Sequence, residues 1–479
     1  MVIAAMHLIR LFLDDWVTAF NLVVVSYFFL GNGIYTFLML LSLRATWVHM
    51  RRMTYQGLDT LRHSPLTPPV TIIIPAWNEQ AVIVNSVRSA LQADYPDLRV
   101  IVVDDGSTDM TLDRLVQSFG MVEMDGSYHP SVPTAPVRAY YINPTIPNLL
   151  VVSKVRGGKP DALNAGINLC RSPYFCNLDA DCLLERDALL RLMDPIMNST
   201  IETVVSGGIV RILNGCETKN GRVLRVGLPR TWLERFQVVE YLRSFLFGRT
   251  GWHLLGGTLI VSGAFAVFHR ATVIESGGFC HDTVTEDMDL IVQLHQWAAE
   301  NNRKIRMSFT SDPVCWTECP STFAMLANQR RRWQLGLCQT LWKHSEILFG
   351  RKYGIVGWLS FPFHAYIEGL GAAVEFLGYL LIPLGLLLGL VPPGLLLVFI
   401  LLGLIYGGFL SVGAVLLEEL TYRRYPRLWD LLTLLAFAVF ENIGYRQLVL
   451  YYRFQGVLKF LAGSRRWEKV AHIGATADG

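Results

Sequence analysis

Hydrophobic and polar positions divide this chain into three stretches. Trp16 to Leu43 is one long apolar run, interrupted by Asn21, Asn32 and a few small polar residues. From about Arg44 to Lys352 the pattern is mixed and polar, and from about Phe361 to Tyr452 it turns apolar again. A helix needs about 20 mostly apolar residues to cross a bilayer, so the pattern predicts one span near 20–43 and three more near 366–390, 395–417 and 429–451. The first run is too long for a signal peptide, begins after Asp14-Asp15, lacks a small-residue cleavage pattern and is followed by Arg44, Arg51 and Arg52. An uncleaved anchor is therefore expected.

Basic residues tend to stay on the cytoplasmic side. Arg44, Arg51 and Arg52 after the first span place the middle of the chain there, and Arg423, Arg424 and Arg427 between the third and fourth spans agree. Four spans would put Arg453, Lys459, Arg465, Arg466 and Lys469 outside, against the rule, unless the last hydrophobic segment is re-entrant. The expected organisation is an anchor over 1–50, a cytoplasmic domain over 65–345, an interfacial helix with membrane helices over 346–452, and a basic tail over 453–479.

Within the middle stretch, Val70–Ile74 is a β-branched run ending at Pro75, the pattern of a strand buried on both faces. A helix over Gln80–Gln92 and a second strand over Arg99–Val103 follow. Later apolar runs at Leu149–Val152, Tyr174–Leu178 and Val204–Val205 alternate with helical stretches. This rhythm predicts an open α/β sheet, whose ligands lie beyond the carboxyl ends of the strands. Gly120–Pro147, rich in Gly, Pro and Tyr, reads as a loop or hairpin, and Trp232–Phe247 as a helix near the membrane or on the surface.

Composition changes this picture little. The 479 residues are 52% hydrophobic and 17% charged, and the mean hydropathy of +0.35 fits a membrane protein. A net charge of +3 with no basic stripe gives no reason to expect nucleic acid. Eight scattered cysteines read as reduced, mostly buried thiols; Cys315 and Cys319 have no second pair at zinc spacing.

Candidate chemistry falls at the predicted strand and helix ends. Asp179-Ala180-Asp181 sets two carboxylates one residue apart just after a strand. They suit a hard divalent cation, magnesium or manganese, with sites left for diphosphate oxygens; alone, such a pair is a turn or a cap. Gly157-Gly158-Lys159-Pro160-Asp161 precedes a helix, and Pro160 fits its first position, so Lys159 stands at an anion site. Pro75-Ala76-Trp77-Asn78-Glu79 and Asp104-Asp105-Gly106-Ser107 close the first two strands with carboxylates able to accept hydrogen bonds. Thr285-Glu286-Asp287 opens a helix over Met288–Ala299, where Thr285 could simply cap it. Gln329, Arg332 and Trp333, at i, i+3 and i+4, share one face of a helix beginning near Ser321. Arg330 and Arg331 point away from it, toward solvent or lipid headgroups.

In this order and between hydrophobic ends, these clusters resemble the signature of membrane-bound family-2 glycosyltransferases, which include the poly-N-acetylglucosamine, hyaluronan, chitin and cellulose synthases. The resemblance covers roughly Pro69 to Gln339. It implies an α/β glycosyltransferase A-type fold, a Rossmann-like open sheet with transmembrane helices at both ends, in a bacterial cytoplasmic membrane. It also implies inverting transfer from a UDP-sugar, UDP-N-acetylglucosamine or UDP-glucose. Asp287, with Glu286, is then the catalytic carboxylate. Pro75, Glu79, Asp104, Asp105, Lys159, Asp179 and Arg332 would hold the donor, and Asp179 and Asp181 the metal. Gln329, Trp333, Gly263 and Phe265 would meet the acceptor.

A processive enzyme extending a β-linked polysaccharide is the leading expectation. A single transfer to a lipid-linked acceptor is the second, and a catalytically silent membrane scaffold of the same fold the third. Glu368 and Glu375, seven residues apart in the second span, share a face; either they line a translocation route or Glu368 simply sits at the interface. With so few helices, a channel would call on an export partner or a second copy of the chain.

Overall fold

The structure, a computed structural model, describes residues 2–53, 58–128 and 130–464. Its centre is an open mixed sheet of ten strands in the order β3-β4-β5-β2-β1-β6-β11-β8-β12-β7. In chain order the strands are β1 (Val70–Ala76), β2 (Leu98–Asp104), β3 (Val122–Met124), β4 (Val137–Ile142), β5 (Leu149–Lys154), β6 (Tyr174–Leu178), β7 (Leu183–Leu184), β8 (Glu202–Ile212), β9 (Glu217–Lys219), β10 (Arg222–Arg225), β11 (Phe265–His269) and β12 (Ile305–Thr317). β9 and β10 form a separate antiparallel pair. The β3–β4 pair, also antiparallel, is the hairpin expected within 120–147.

The β-branched run of β1 is buried as its composition requires. Ile72 and Ile74 pack into the core on one face of the sheet and Ile73 into that on the other. β1 is parallel to β2 on one side and to β6 on the other, and β2 is parallel to β5. Successive strands thus run outward from β1 until the chain crosses back to place β6 on its opposite flank. That reversal of strand order opens a crevice at the carboxyl ends of β1 and β6, where doubly wound sheets bind ligands. β11 then enters antiparallel to β6 and β8.

Among the described residues, three helical stretches are long and apolar enough to cross a membrane: Asp15–Val48, Val356–Leu387 and Pro393–Thr421. The fourth expected span, 429–451, is not one straight helix. It breaks between Leu428–Phe440 and Tyr445–Leu461, which meet at a 58° bend. At about 1.5 Å per residue the first piece is roughly 20 Å long, short of the roughly 30 Å hydrocarbon core. The break has local causes: Gly444 adopts φ 89°, and Glu441, buried there, is held 2.9 Å from Arg243 on helix Trp232–Arg243.

Both ends of this bent pair touch the α/β unit. Arg424 lies 3.4 Å from Glu185, and Gln339 donates to the Ser464 carbonyl at 3.2 Å. The bent pair is thus either a broken span or a re-entrant loop; the second alternative, which contacts at both ends favour, would keep Arg453 and Lys459 on the side from which the pair began. Arg465, Arg466 and Lys469 lie outside the described residues. Single cysteines at Ser464 and Thr200 are accordingly expected to react with a membrane-impermeant maleimide from the same face of oriented vesicles, and one at Gly394 from the other. Labelling of Ser464→Cys from the Gly394 side would restore the fourth span.

Candidate active site

The loop after β5 is shaped by backbone and charge together. Gly158 takes φ 95° immediately before helix Lys159–Leu169, a conformation that side-chain-bearing residues rarely adopt. Asp105, at the end of β2, holds this loop from below. Its carboxylate accepts from the Gly157 and Gly158 amides at 2.9 and 2.7 Å and from Lys154 Nζ at 2.8 Å. Asn78, in a left-handed conformation at φ 56°, ties the β1 and β2 loops together. Its side-chain oxygen accepts from the Thr108 N–H at 2.7 Å, and its backbone N–H donates to Ser107 Oγ at 3.0 Å.

These loops border a cavity of about 1350 Å³ that runs from the ends of β1 and β6 to the membrane helices. Pro75, Glu79, Asp105, Lys159, Asp179 and Asp181 line its sheet end. Glu286, Asp287, Gly263, Gln329, Arg332 and Trp333 line the middle, and Glu368 and Glu375 the membrane end. Residues far apart in sequence are thus brought together as the motif reading expects. Lys159 is the first residue of its helix, and its ammonium bridges Asp179 at 2.7 Å and Glu286 at 3.0 Å. Burial would lower its pKa, but the carboxylates of Asp179 and Glu286 outweigh that and raise it.

The same cluster separates its acids. Burial raises Asp179, against the pull of Lys159. Burial would also raise Glu286, but Lys159 prevails and holds it below the usual carboxylate range. Asp287 is pushed up, first by burial and then by the charge of Glu286. The helix bearing both acids, Glu286–Glu300, is fixed through Asp289, which is fully buried and held by His344 at 3.0 Å and Lys343 at 2.8 Å. Thr285 precedes it without a side-chain cap hydrogen bond, so capping does not account for that motif. Gly263 packs so closely on Asp287 that a Cβ there would overlap its carboxylate.

Four residues fall elsewhere than expected. Asp104 is buried beneath the loop, accepting from the Ser107 amide and the Ser153 hydroxyl, each at 3.2 Å, and does not line the cavity. Phe265 is wholly buried in β11, inside the sheet core rather than at an acceptor site. Arg330 is buried and paired with Glu240 at 2.8 Å, not solvated; helix Tyr445–Leu461 covers that face, with the Tyr445 hydroxyl on the same Glu240 at 2.8 Å. Arg331 likewise reaches Gln455 on that helix at 3.4 Å.

Other lining residues carry little signal in the sequence. Arg156 stacks 3.6 Å above the Trp77 ring, forming a flat cationic platform at the cavity mouth. Trp77 lies inside a quoted motif, but its stacking partner is 79 positions away and shows no pattern. Glu368 meets Tyr35 and Arg453, and Glu375 meets Arg446 at 3.0 Å. Both glutamates line the cavity.

Asp179 and Asp181 fit a divalent cation as an incomplete oxygen set. The Thr317 hydroxyl donates to Asp181 at 2.9 Å, and an ammonium already sits on Asp179. No group of three His, Cys, Asp or Glu side chains converges among the described residues. A cation here would complete its shell with diphosphate oxygens and water.

Two family descriptions match this sequence: "Glycosyl transferase family 2" over residues 71–120 and "Glycosyl transferase family group 2" over residues 176–412. The chain thus carries glycosyltransferase family 2 domains. It is homologous to poly-beta-1,6-N-acetyl-D-glucosamine synthase of Staphylococcus aureus, with 24% identity over 56% of this chain and 54% of the relative. The Staphylococcus epidermidis synthase is 23% identical over the same shares. The chain spans about half the length of the curated relatives it matches. Among solved structures, a mannosyltransferase from Pyrobaculum calidifontis in complex with GDP-Man and Mn2+ aligns over 94% of this chain and 99% of its own, at 18% identity and TM-score 0.49. S. aureus TarS aligns over 83% of this chain and 92% of its own, at 14% identity and TM-score 0.36.

Proposed function

We propose that this chain is an inverting, metal-dependent glycosyltransferase that moves a sugar from a UDP-sugar to a growing β-linked polysaccharide at the cytoplasmic face of a membrane. The observation that carries this reading is the continuity of the cavity from Lys159 and Asp179, past Asp287, to Glu368 and Glu375 among the membrane helices. A donor entering over the sheet and an acceptor lying toward the membrane would meet beside Asp287.

In this reading the Trp77–Arg156 platform receives the uracil, and Glu79 and the Pro75 turn border the ribose. Lys159 and Arg332 contact the diphosphate. A divalent cation on Asp179 and Asp181 neutralises the leaving diphosphate when bound. Asp287 removes the proton from the acceptor hydroxyl as that oxygen attacks the anomeric carbon from the face opposite the diphosphate, so the configuration inverts. Glu286, held ionised by Lys159, keeps the basicity of Asp287 high. Gln329, whose buried amide oxygen has no hydrogen-bond partner among the described residues, and Trp333, 37% exposed, are the acceptor contacts: the amide for a hydroxyl, the ring for a sugar face. UDP-N-acetylglucosamine is the first donor to try, given the relatives, with UDP-glucose second.

Purified protein in lipid, supplied with magnesium or manganese and a panel of radiolabelled UDP-sugars, is expected to make long polymer from one donor. A product carrying a single added sugar would instead establish transfer to a lipid-linked acceptor. No transfer from any donor would support a scaffold role.

A further inference from the structure

Helix Phe323–Lys343 presents Gln329, Arg332 and Trp333 to the cavity. The same three- and four-residue spacing continues through Gly336, Gln339 and Lys343, so these lie on the same side of the helix. That side docks on the segment that carries Asp287. Gly336 lies against Thr285, where a Cβ would overlap the threonine side chain. Gln339 Oε1 accepts from the Val284 N–H at 3.0 Å, and Lys343 donates to Asp289 at 2.8 Å. One helix therefore carries the candidate acceptor contacts and, toward its far end, the anchor of helix Glu286–Glu300.

His344, buried just past the last residue of that helix, completes the anchor. Its Nε2 lies 3.0 Å from Asp289 Oδ1 and its Nδ1 3.0 Å from Gln296 Oε1, both on helix Glu286–Glu300. The Gln296 amide is oriented by its nitrogen, which donates to Glu300 at 3.0 Å and to Glu346 at 2.6 Å. A flipped amide would turn its oxygen onto two carboxylates. The oxygen therefore faces His344, and only an N–H at Nδ1 can meet it. Asp289 has no proton to offer Nε2: burial would raise its pKa, but the hydrogen bonds from His344 and Lys343 hold it below the usual carboxylate range. With both ring nitrogens donating, the side chain is an imidazolium. The surrounding charges suit that form. Asp289, Glu300, Glu346 and Asp282 stand against the ammonium groups of Lys343 and Lys352. The Tyr353 hydroxyl, 3.5 Å from Glu346, and the Cys280 thiol beside Lys343 are neutral neighbours.

We propose that His344 is a positioning residue of this site: as an imidazolium it locks the helix of Gln329, Arg332 and Trp333 in register with the helix of Asp287. This rests on the glycosyltransferase reading above and adds to it a regulation by pH. Loss of the ring proton removes a donor from either Asp289 or Gln296, and the base and the acceptor contacts then lose their fixed separation. The charge is present at low pH and lost as pH rises, so His344 governs the alkaline limb of activity, opposite to the limb set by Asp287.

The test uses the full chain in lipid, isotopically labelled at histidine nitrogen, and solid-state magnetic resonance. The ring signals that disappear in His344→Gln are expected to report two protonated nitrogens at neutral pH. Asp289→Asn is expected to leave only one, because its amide can donate to Nε2. In transfer assays on the same preparations, His344→Gln is expected to lower kcat about tenfold, with the KM for donor unchanged. UDP affinity, expected to be equal in the variants and the unaltered protein, reports an intact fold. His344→Lys keeps its charge to higher pH, so it is expected to recover most of kcat and to extend the alkaline limb. A bare ring nitrogen on His344 at neutral pH overturns the proposal. So does an alkaline limb that His344→Lys leaves in place, or a His344→Gln defect confined to KM. Two protonated nitrogens without sugar transfer from any donor would fault the glycosyltransferase reading and leave the charged clamp standing.

Discussion

Asp287→Asn is expected to lower sugar transfer by about a thousandfold, within the range general-base removal commonly costs, while UDP binding changes little. The amide is nearly isosteric, so it still fits against Gly263, where a Cβ would overlap the native carboxylate. Only the ability to take a proton is lost. The pH profile supplies an independent check. Burial and the charge of Glu286 raise the pKa of Asp287, and a base must be ionised to act. Activity should therefore fall as pH drops through that raised pKa, with its acidic limb above the ordinary carboxylate range. Glu286→Gln removes the like charge, so the limb should move to lower pH even where the maximal rate is reduced. A limb that stays in place, or an Asp287→Asn enzyme with near-normal turnover, would assign the proton transfer elsewhere.

Asp181→Asn is expected to reduce transfer by roughly a hundredfold, about 2.7 kcal/mol of barrier, and to weaken manganese binding measured directly by paramagnetic resonance. Asp181 reaches the cavity through the hydrogen bond from Thr317 that sets its orientation. Asparagine can keep that bond and loses only the charge, so a folded protein with weakened metal binding is the expected outcome. Chelation of the unaltered protein should abolish transfer and restored magnesium or manganese should recover it. Full activity in chelator would instead point to Lys159, already seated between Asp179 and Glu286, as the cation that balances the leaving diphosphate.

Several parts of the site were legible in the chain because short-range chemistry determines them. The β-branched run of β1 could be satisfied only by burial on both faces, which placed Pro75 and the following acidic residues at a strand end. Pro160 marked the start of a helix, and Lys159 opens it in the structure. Gln329, Arg332 and Trp333 share a helix face by spacing alone, and all three line the cavity.

The misplacements have one physical cause: a residue's type does not say which side of its strand or helix will be covered. Asp104 and Asp105 are neighbours, yet one lies beneath the loop while the other holds it. Phe265 follows the cavity-lining Gly263 by two positions but belongs to β11, where the antiparallel neighbours β6 and β8 enclose it. Arg330 looked solvated because the helix that buries it lies more than a hundred residues later.

The sequence by itself determined the first strands, three long apolar helices and the strand-end carboxylates, because propensity, hydrophobic period and turn chemistry act over a few residues. Only the tertiary structure decided that Lys159 bridges Asp179 to Glu286 and that Arg156 stacks on Trp77. It also decided that the last hydrophobic segment is bent by 58° rather than one straight helix. Those outcomes depend on which elements meet, and a charge buried by a distant helix finds its partner, or lacks one, only once the chain has closed around it.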